Sequence, residues 1–190
     1  MPAALPRLHM VLSTEPGPAL ALPPGYCLEP IRSGGEATWA EIWNDAAPER
    51  PVSPARFAEV FGHDWAVIAQ RCIFLRDENE RIVGTVAAWF DPAVNGEAAG
   101  RVHWLAVRRA AQGRGLAKAL LSHALVYLAA HHRVVRLRTQ PDRLAAIRLY
   151  LTHGFVPEIV GPADFVHWRS IAQSLGRPLP GVPGHGAPPC

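Results

Sequence analysis

The segment that most constrains this chain runs from Arg101 to Ala130. Residues 101–107 read as a strand, and the chain then turns through Gln112-Gly-Arg-Gly-Leu-Ala117 directly into a helix over about 115–130. Ala117, Leu120, Leu121, Ala124, Leu125 and Leu128 share one stripe of that helix, so it must bury a face. A strand that feeds a long one-sided helix through a tight turn belongs to a layered α/β architecture. The turn also carries chemistry. Gly113 and Gly115 let the backbone bend and come close to a ligand. The first helix amides have no intrahelical acceptor, and the helix dipole favours negative charge beside them. The turn is therefore an anion site, most naturally for phosphate, with Arg108, Arg109, Arg114 and Lys118 around it.

The remaining pattern is mixed. Strands are expected at 26–32, 72–76, 82–90, 134–139 and 155–160. Polar residues 77–80 join the second and third of these strands as a hairpin turn, and 91–100 is a polar loop. Ser33-Gly-Gly-Glu36 has capping-box spacing ahead of a helix with Trp39, Ile42, Trp43 and Ala46 on one stripe. Ser53-Pro54 opens a short helix with Phe57, Val60 and Phe61 on its apolar face. Further helices are expected at 143–153, with Gly154 as its C′ residue, and at 163–174. The order β-α-α-β-β-β-α-β-α-β predicts an α/β fold with a mixed sheet: antiparallel in its first half, with helical crossovers in its second.

The 190 residues suit one domain, and 49% hydrophobic with 18% charged residues excludes wholesale disorder. Six of the 19 prolines lie in 1–25 and five in 176–190. The expectation is a poorly ordered Pro-rich arm at 1–25, one folded domain at 26–175 and a Pro/Gly-rich tail at 176–190. The net charge of +3 is too mild to demand a nucleic-acid partner. Prolines interrupt the apolar run of 1–25, whose only basic residue is Arg7, so it does not read as a signal peptide. No segment reaches the ~18 apolar residues of a membrane helix. Cys27, Cys72 and Cys190 show no CxxC pairing, as expected of a reduced, cytoplasmic chain.

Three phosphate-binding loops compete for the turn. A Walker loop needs Gly-Lys-Ser/Thr after it, which is missing. A dinucleotide fingerprint needs a third glycine where Lys118 stands. The pattern Q/R-x-x-G-x-G/A is met by Gln112-Gly113-Arg114-Gly115-Leu116-Ala117, which resembles the pyrophosphate loop of GNAT-superfamily N-acetyltransferases. Ala146-Ile-Arg-Leu-Tyr150 followed by Gly154-Phe155 is similar to that family's A-x-x-L-Y-x-x-x-G-F element, one strand and one helix further on. The segment from Arg143 to Pro157 is loosely similar to mycothiol-synthase-like members.

The resemblance implies the acyl-CoA N-acyltransferase fold, whose two central parallel strands splay apart to receive acetyl-coenzyme A (acetyl-CoA). It implies that Leu105, Ala106 and Val107 meet the pantetheine arm and acetyl carbonyl, the amides of Leu105 and Val107 pairing like an added strand. It implies that the amides of Gln112, Gly113, Arg114, Gly115, Leu116 and Ala117 cradle the pyrophosphate. Where Arg143 stands, the family commonly has an Asn that contacts the coenzyme; Arg143 would place a cation near a phosphate. The implied reaction is acetyl transfer to an amine in one ternary complex, without metal, nucleic acid or membrane. Many relatives dimerise, so a homodimer is a possible state.

Tyr150 is the implied acid for the leaving thiolate. It shares a helix stripe with Arg143 and Ala146, away from the Leu144/Ile147/Leu151 core stripe; a tyrosine buried for packing is the bland alternative. His103 is the base candidate. Strand alternation puts it on the face of Leu105 and Val107. An unperturbed imidazole would titrate near ~6.5, with a neighbouring Arg101 or Arg108 pushing it down. A cleft histidine without a catalytic role, with ordered water taking the proton, is the alternative. Glu78, Glu80 and Glu97 read as solvated turn residues, His131-His132 as a helix end, and Cys27 and Cys72 as small core residues. No cluster has zinc spacing. Trp43, Phe57, Phe61 and Trp89 read as core, with one or two facing the acceptor. Two rival functions stay open: a non-catalytic acyl-CoA-binding module, and a protein-modifying acetyltransferase whose Pro-rich arms recruit a partner.

Overall fold

The computed structural model describes residues 6–92 and 98–182. Among these residues, seven strands form one mixed sheet with six helices on its two faces. The elements are β1 (Leu8–Leu12), β2 (Cys27–Pro30), α1 (Glu36–Ala46), α2 (Ala55–Phe61), α3 (Trp65–Arg71), β3 (Cys72–Arg76), β4 (Ile82–Phe90), β5 (Gly100–Val107), α4 (Leu116–His131), β6 (Val135–Thr139), α5 (Leu144–Thr152), β7 (Phe155–Glu158) and α6 (Pro162–Leu175). The strand order is β2-β3-β4-β5-β6-β1-β7. Every neighbouring pair is antiparallel except β5 and β6, which are parallel.

Two apolar layers sandwich the sheet. On one side α4 buries Leu120, Leu121, Ala124, Leu125 and Leu128 against β4, β5 and β6. On the other, Trp39 and Ile42 of α1, Phe57 and Phe61 of α2 and Ile68 of α3 pack on Phe74, Ala87 and Trp89. Trp39 stands edge-on to Phe57 and to Phe61, at 5.3 and 6.0 Å between centroids.

The N-terminal segment departs from expectation. Leu8–Leu12 is an interior strand, hydrogen-bonded to β6 on one side and β7 on the other. Leu8 and Met10 are fully buried, each contributing about 1.5–3 kcal/mol of burial. Beyond β1 the chain is tied to α4 at Leu20, whose amide donates to Ser122 Oγ at 2.9 Å. The folded unit therefore begins before residue 26, and Pro6 and Pro16 merely bracket a five-residue strand too short to announce itself. At the other end Leu179 is buried on the core, so part of the expected tail is docked too. Residues 183–190, with Cys190, and Glu97 lie outside the described residues.

Local signals mostly hold, with three corrections. Ser33 does not cap α1, because the N-cap is Gly35 and no side chain caps that end. Helix α3 was missed, although Asp64 caps it by accepting from the Ala66 and Val67 amides at 3.1 and 3.2 Å. Cys27 is exposed on edge strand β2, whereas Cys72 is buried and burial pushes its thiol pKa up. Glu78 and Glu80 are exposed in the β3–β4 turn, as expected.

Gly154 ends α5 with φ +85°, and a Cβ there would collide with Thr14 Oγ1 at the end of β1. Its carbonyl accepts from the Ser13 amide at 3.0 Å. Gly154→Ala is therefore expected to combine left-handed backbone strain of about 1–2 kcal/mol with a displaced β1. Scanning calorimetry should show a Tm lowered by roughly 4 °C or more; an unchanged Tm would refute the tight β1 docking.

Candidate active site

Strands β5 and β6 pair only over Gly100–Val102 with Val135–Leu137, and beyond Val102 they diverge. The splay arises beside a β-bulge. Ala106 faces Thr85 and His103 faces Ala87 across the β4–β5 ladder, leaving Trp104 and Leu105 opposite Val86 alone. Trp104 takes φ +50°, a costly conformation for a tryptophan. The Arg108 amide donates to Val83 of β4 at 2.8 Å. By alternation, the amides of Leu105 and Val107 point away from β4, into the gap.

Past β5 a 3-10 turn (Arg109–Ala111) leads to the glycine turn. Gly113 and Gly115 have φ +78°, and a Cβ at either would meet nothing within 4 Å. Among the described residues, the amides of Gly113, Arg114 and Gly115 donate to no backbone carbonyl. No side chain caps α4, so the amides of Leu116 and Ala117 are also free. Gln112 is a correction. Its amide is used by the Arg109 carbonyl at 3.2 Å and its Nε2 donates to the Val107 carbonyl at 2.9 Å. Gln112 thus ties the turn to the strand, and the run of free amides begins at Gly113. Arg114 reaches the Tyr26 hydroxyl at 3.0 Å, and Arg108 pairs with Glu41 at 3.0 Å.

A cavity of about 580 Å³ opens on the α1–α2 side of the gap, with His103, Trp104, Leu105, Gln140, Arg143 and Tyr150 in its wall. The Tyr150 ring is buried within the α4–α5 core and edge-on to Phe155. It thus joins the core rather than lying clear of it. Burial pushes the phenol pKa up to about 12, with the Arg143 cation pulling the other way. Arg143, just before α5, lies over the Trp43 ring at 4.9 Å. Of the four aromatics proposed as core, Phe57, Phe61 and Trp89 are buried, and Trp43 faces the cavity. Trp104 forms a second aromatic wall, 4.4 Å from Trp43 between centroids; its strand position gave no signal.

His103 is not on the face of Leu105 and Val107. The bulge inverts the alternation, so His103 packs by Phe61 and Trp104 on the α1–α2 side, while Leu105 and Val107 face α4. Burial is the main cause that lowers its pKa to about 3, and Arg101, Arg138, Arg56 and Arg7 add to it. Arg108 is turned elsewhere. The imidazole is therefore neutral at working pH, not poised near ~6.5.

The His131-His132 pair is structural. His132 Nδ1 lies 2.9 Å from the Ala98 carbonyl, and Arg71 Nη1 lies 3.4 Å from Nε2. Among the described residues, no group of three or more His, Cys, Asp or Glu side chains is placed to hold a metal.

A strand, a glycine turn with free amides at a helix start, a splayed parallel pair and a buried tyrosine define a family. The Acetyltransferase (GNAT) family model matches residues 37–155, and the chain belongs to that family. The fold is similar to a GCN5-related N-acetyltransferase from Sphaerobacter thermophilus, with 25% identity and a TM-score of 0.60, over 80% of this chain and 48% of that one. It is similar to a GNAT-family acetyltransferase from Colwellia psychrerythraea, with 12% identity and a TM-score of 0.62, over 81% and 53%. A chain of the NatC complex bound to Gag peptide and CoA shares 23% identity with a TM-score of 0.54, over 67% and 82%. This chain thus spans about half the length of the Sphaerobacter and Colwellia chains. No curated protein matches the sequence.

Proposed function

We propose that the chain transfers an acetyl group from acetyl-CoA to the amino group of a small-molecule acceptor by direct attack in a ternary complex. The observation that carries this reading is the alignment of three features along one gap. These are outward amides at Leu105 and Val107, free amides from Gly113 to Ala117, and Tyr150 in the wall. Acetyl-CoA supplies an activated thioester. The glycine turn holds its pyrophosphate, and the Leu105 amide orients and polarises the carbonyl. The amine nitrogen bonds to the carbonyl carbon as the carbon–sulfur bond breaks. Tyr150, protonated because it is buried, donates its proton to the sulfur.

The amine's proton leaves to water. His103 is too weak a base to hold it, and the arginines around the cavity disfavour an ammonium there, so the acceptor reaches the carbonyl as the free amine. The acid limb of kcat/KM should then follow the acceptor's own pKa. It should shift between two acceptors of different pKa and survive in His103→Ala. A limb that vanishes in His103→Ala would restore the histidine as base. Stability should show the other side of the same shift. The folded imidazole pKa lies below the unfolded one near ~6.5, so the unfolded state binds the extra proton. The histidine's contribution is present above pH ~6.5 and is lost as pH falls toward about 3.

Titration calorimetry with acetyl-CoA in the presence of a chelator tests the reading itself. Saturable binding with chelator is expected, and no heat and no thermal shift would overturn it. Coenzyme A release with an amine panel then separates the enzyme from a silent acyl-CoA sensor.

A further inference from the structure

The cavity wall carries far more positive charge than acetyl transfer requires. Among the described residues, Arg7, Arg50, Arg56, Arg101, Arg138 and Arg143 line it, against Glu59 as the only carboxylate in the lining. Three of these arginines leave the same face of three adjacent strands. Val102 of β5, Leu137 of β6 and Leu8 of β1 point into the α4 core, so Arg101, Arg138 and Arg7, one residue away in each case, point the other way. Arg56 of α2 joins them in the cavity wall. His103 feels all four of these cations.

The carboxylates within reach do not match them. Arg56 pairs with Glu59 at 2.6 Å, and Arg50 with Asp142 at 2.5 Å and Glu49 at 3.6 Å. Arg101 and Arg138 share Asp91, at 2.5 and 3.5 Å. Arg7 and Arg143 have no carboxylate partner within 4 Å among the described residues. Like charges on neighbouring strands repel, and Arg101 is enclosed, at 12% side-chain exposure. Its Nε is buried without a hydrogen-bond partner, as are Trp104 Nε1 and Thr139 Oγ1 in the same wall. A buried donor left unmade is costly, and guanidiniums are the side chains best shaped to grip planar or tetrahedral oxyanions.

We infer that the acceptor is an amine carrying an acidic group, a carboxylate or a phosphate, which is seated on Arg101, Arg138, Arg7 and Arg56 while its amino group points toward Leu105 and Tyr150. This rests on the acetyltransferase reading. It assigns these arginines to the acceptor rather than to the phosphates of acetyl-CoA, whose cradle at Gly113–Ala117 lies at the other end of β5. The same guanidiniums that hold the anion also keep the reacting amine unprotonated. Substrate selection and amine activation are thus one electrostatic device.

Matched amine pairs test the inference: phosphoethanolamine against ethanolamine for phosphate, and β-alanine against β-alaninamide for carboxylate. Each is assayed for coenzyme A release and, without acetyl-CoA, for binding by calorimetry and by the His103 imidazole NMR signal. In at least one pair the acidic member is expected to have kcat/KM about 30-fold or more above its neutral partner, as charge-assisted bidentate contacts give. The same member should bind in the absence of acetyl-CoA and raise the His103 pKa. Arg138→Gln and Arg56→Gln, both on half-exposed side chains and so tolerable for folding, should each raise KM for that acceptor about tenfold with kcat little changed. Arg138→Glu should reverse the preference between the two members. Equal use of both members in both pairs, or a preference untouched by Arg138→Glu, would overturn the inference with the acetyltransferase reading intact. Acidic amines that bind and shift His103 in a protein that takes up no acetyl-CoA would uphold the anion seat and overturn the acetyltransferase reading instead.

Discussion

Tyr150→Phe is expected to lower kcat by about 10–100-fold, the lower part of what one general acid contributes, with acetyl-CoA affinity nearly unchanged. The ring is buried in the core and packs edge-on to Phe155, so removing one oxygen leaves the packing intact. The hydroxyl belongs to a side chain that both sits in the core and lines the cavity, which makes it available to the sulfur but hard to ionise. With Phe in its place, the thiolate must leave unprotonated or wait for water. The loss should be largest for an acceptor whose chemistry limits turnover, and should appear in single-turnover rates as well as at steady state. Unchanged single-turnover rates would make Tyr150 a packing residue only.

Gly115→Asp is expected to weaken acetyl-CoA binding by roughly 100-fold or more, because the aspartate sets a like charge against a pyrophosphate a few ångströms away. The structure adds a second cost. Gly115 sits at φ +78°, where any L residue is strained by about 1–2 kcal/mol. Stability should therefore also fall, although the space around the Cβ is open. Gly115→Ala isolates the strain, since it carries the same backbone cost without the charge. Calorimetry should give alanine a small loss of affinity and aspartate the large one, while both lose similar amounts of stability. Equal affinity losses in the two variants would mean that the turn's shape, and not the anion, decides binding. Normal binding by the aspartate variant would mean that the pyrophosphate lies elsewhere.

Both residues are legible in the sequence alone. The Gln112–Ala117 turn and the Ala146-Ile-Arg-Leu-Tyr150 element are local. Backbone conformation at Gly113 and Gly115, the free amides at a helix start and the helical offset of Tyr150 follow from residue types a few positions apart. The hairpin β3–β4, the helix α4 stripe and Gly154 at the end of α5 were legible for the same reason. Even so, the role assigned to Gln112 shifted, because whether an amide is free depends on the carbonyl of Arg109, which only folding brings within reach.

What sequence alone determined about this protein is the glycine turn at a helix start, because a run of free amides is written in consecutive residues. Tertiary structure decided the cavity beside it. A single bulge at Trp104 reversed which face His103 occupies, and no periodicity rule anticipates an extra residue in a strand. A short interior strand hidden between prolines carried Arg7, at its start, to the same face as Arg138 and Arg101 from positions more than 90 residues away. The cavity's charge, from which we infer the acceptor, is a sum over strands and helices that meet only in the fold. Electrostatic fields add through space rather than along the chain, so no motif could have reported it.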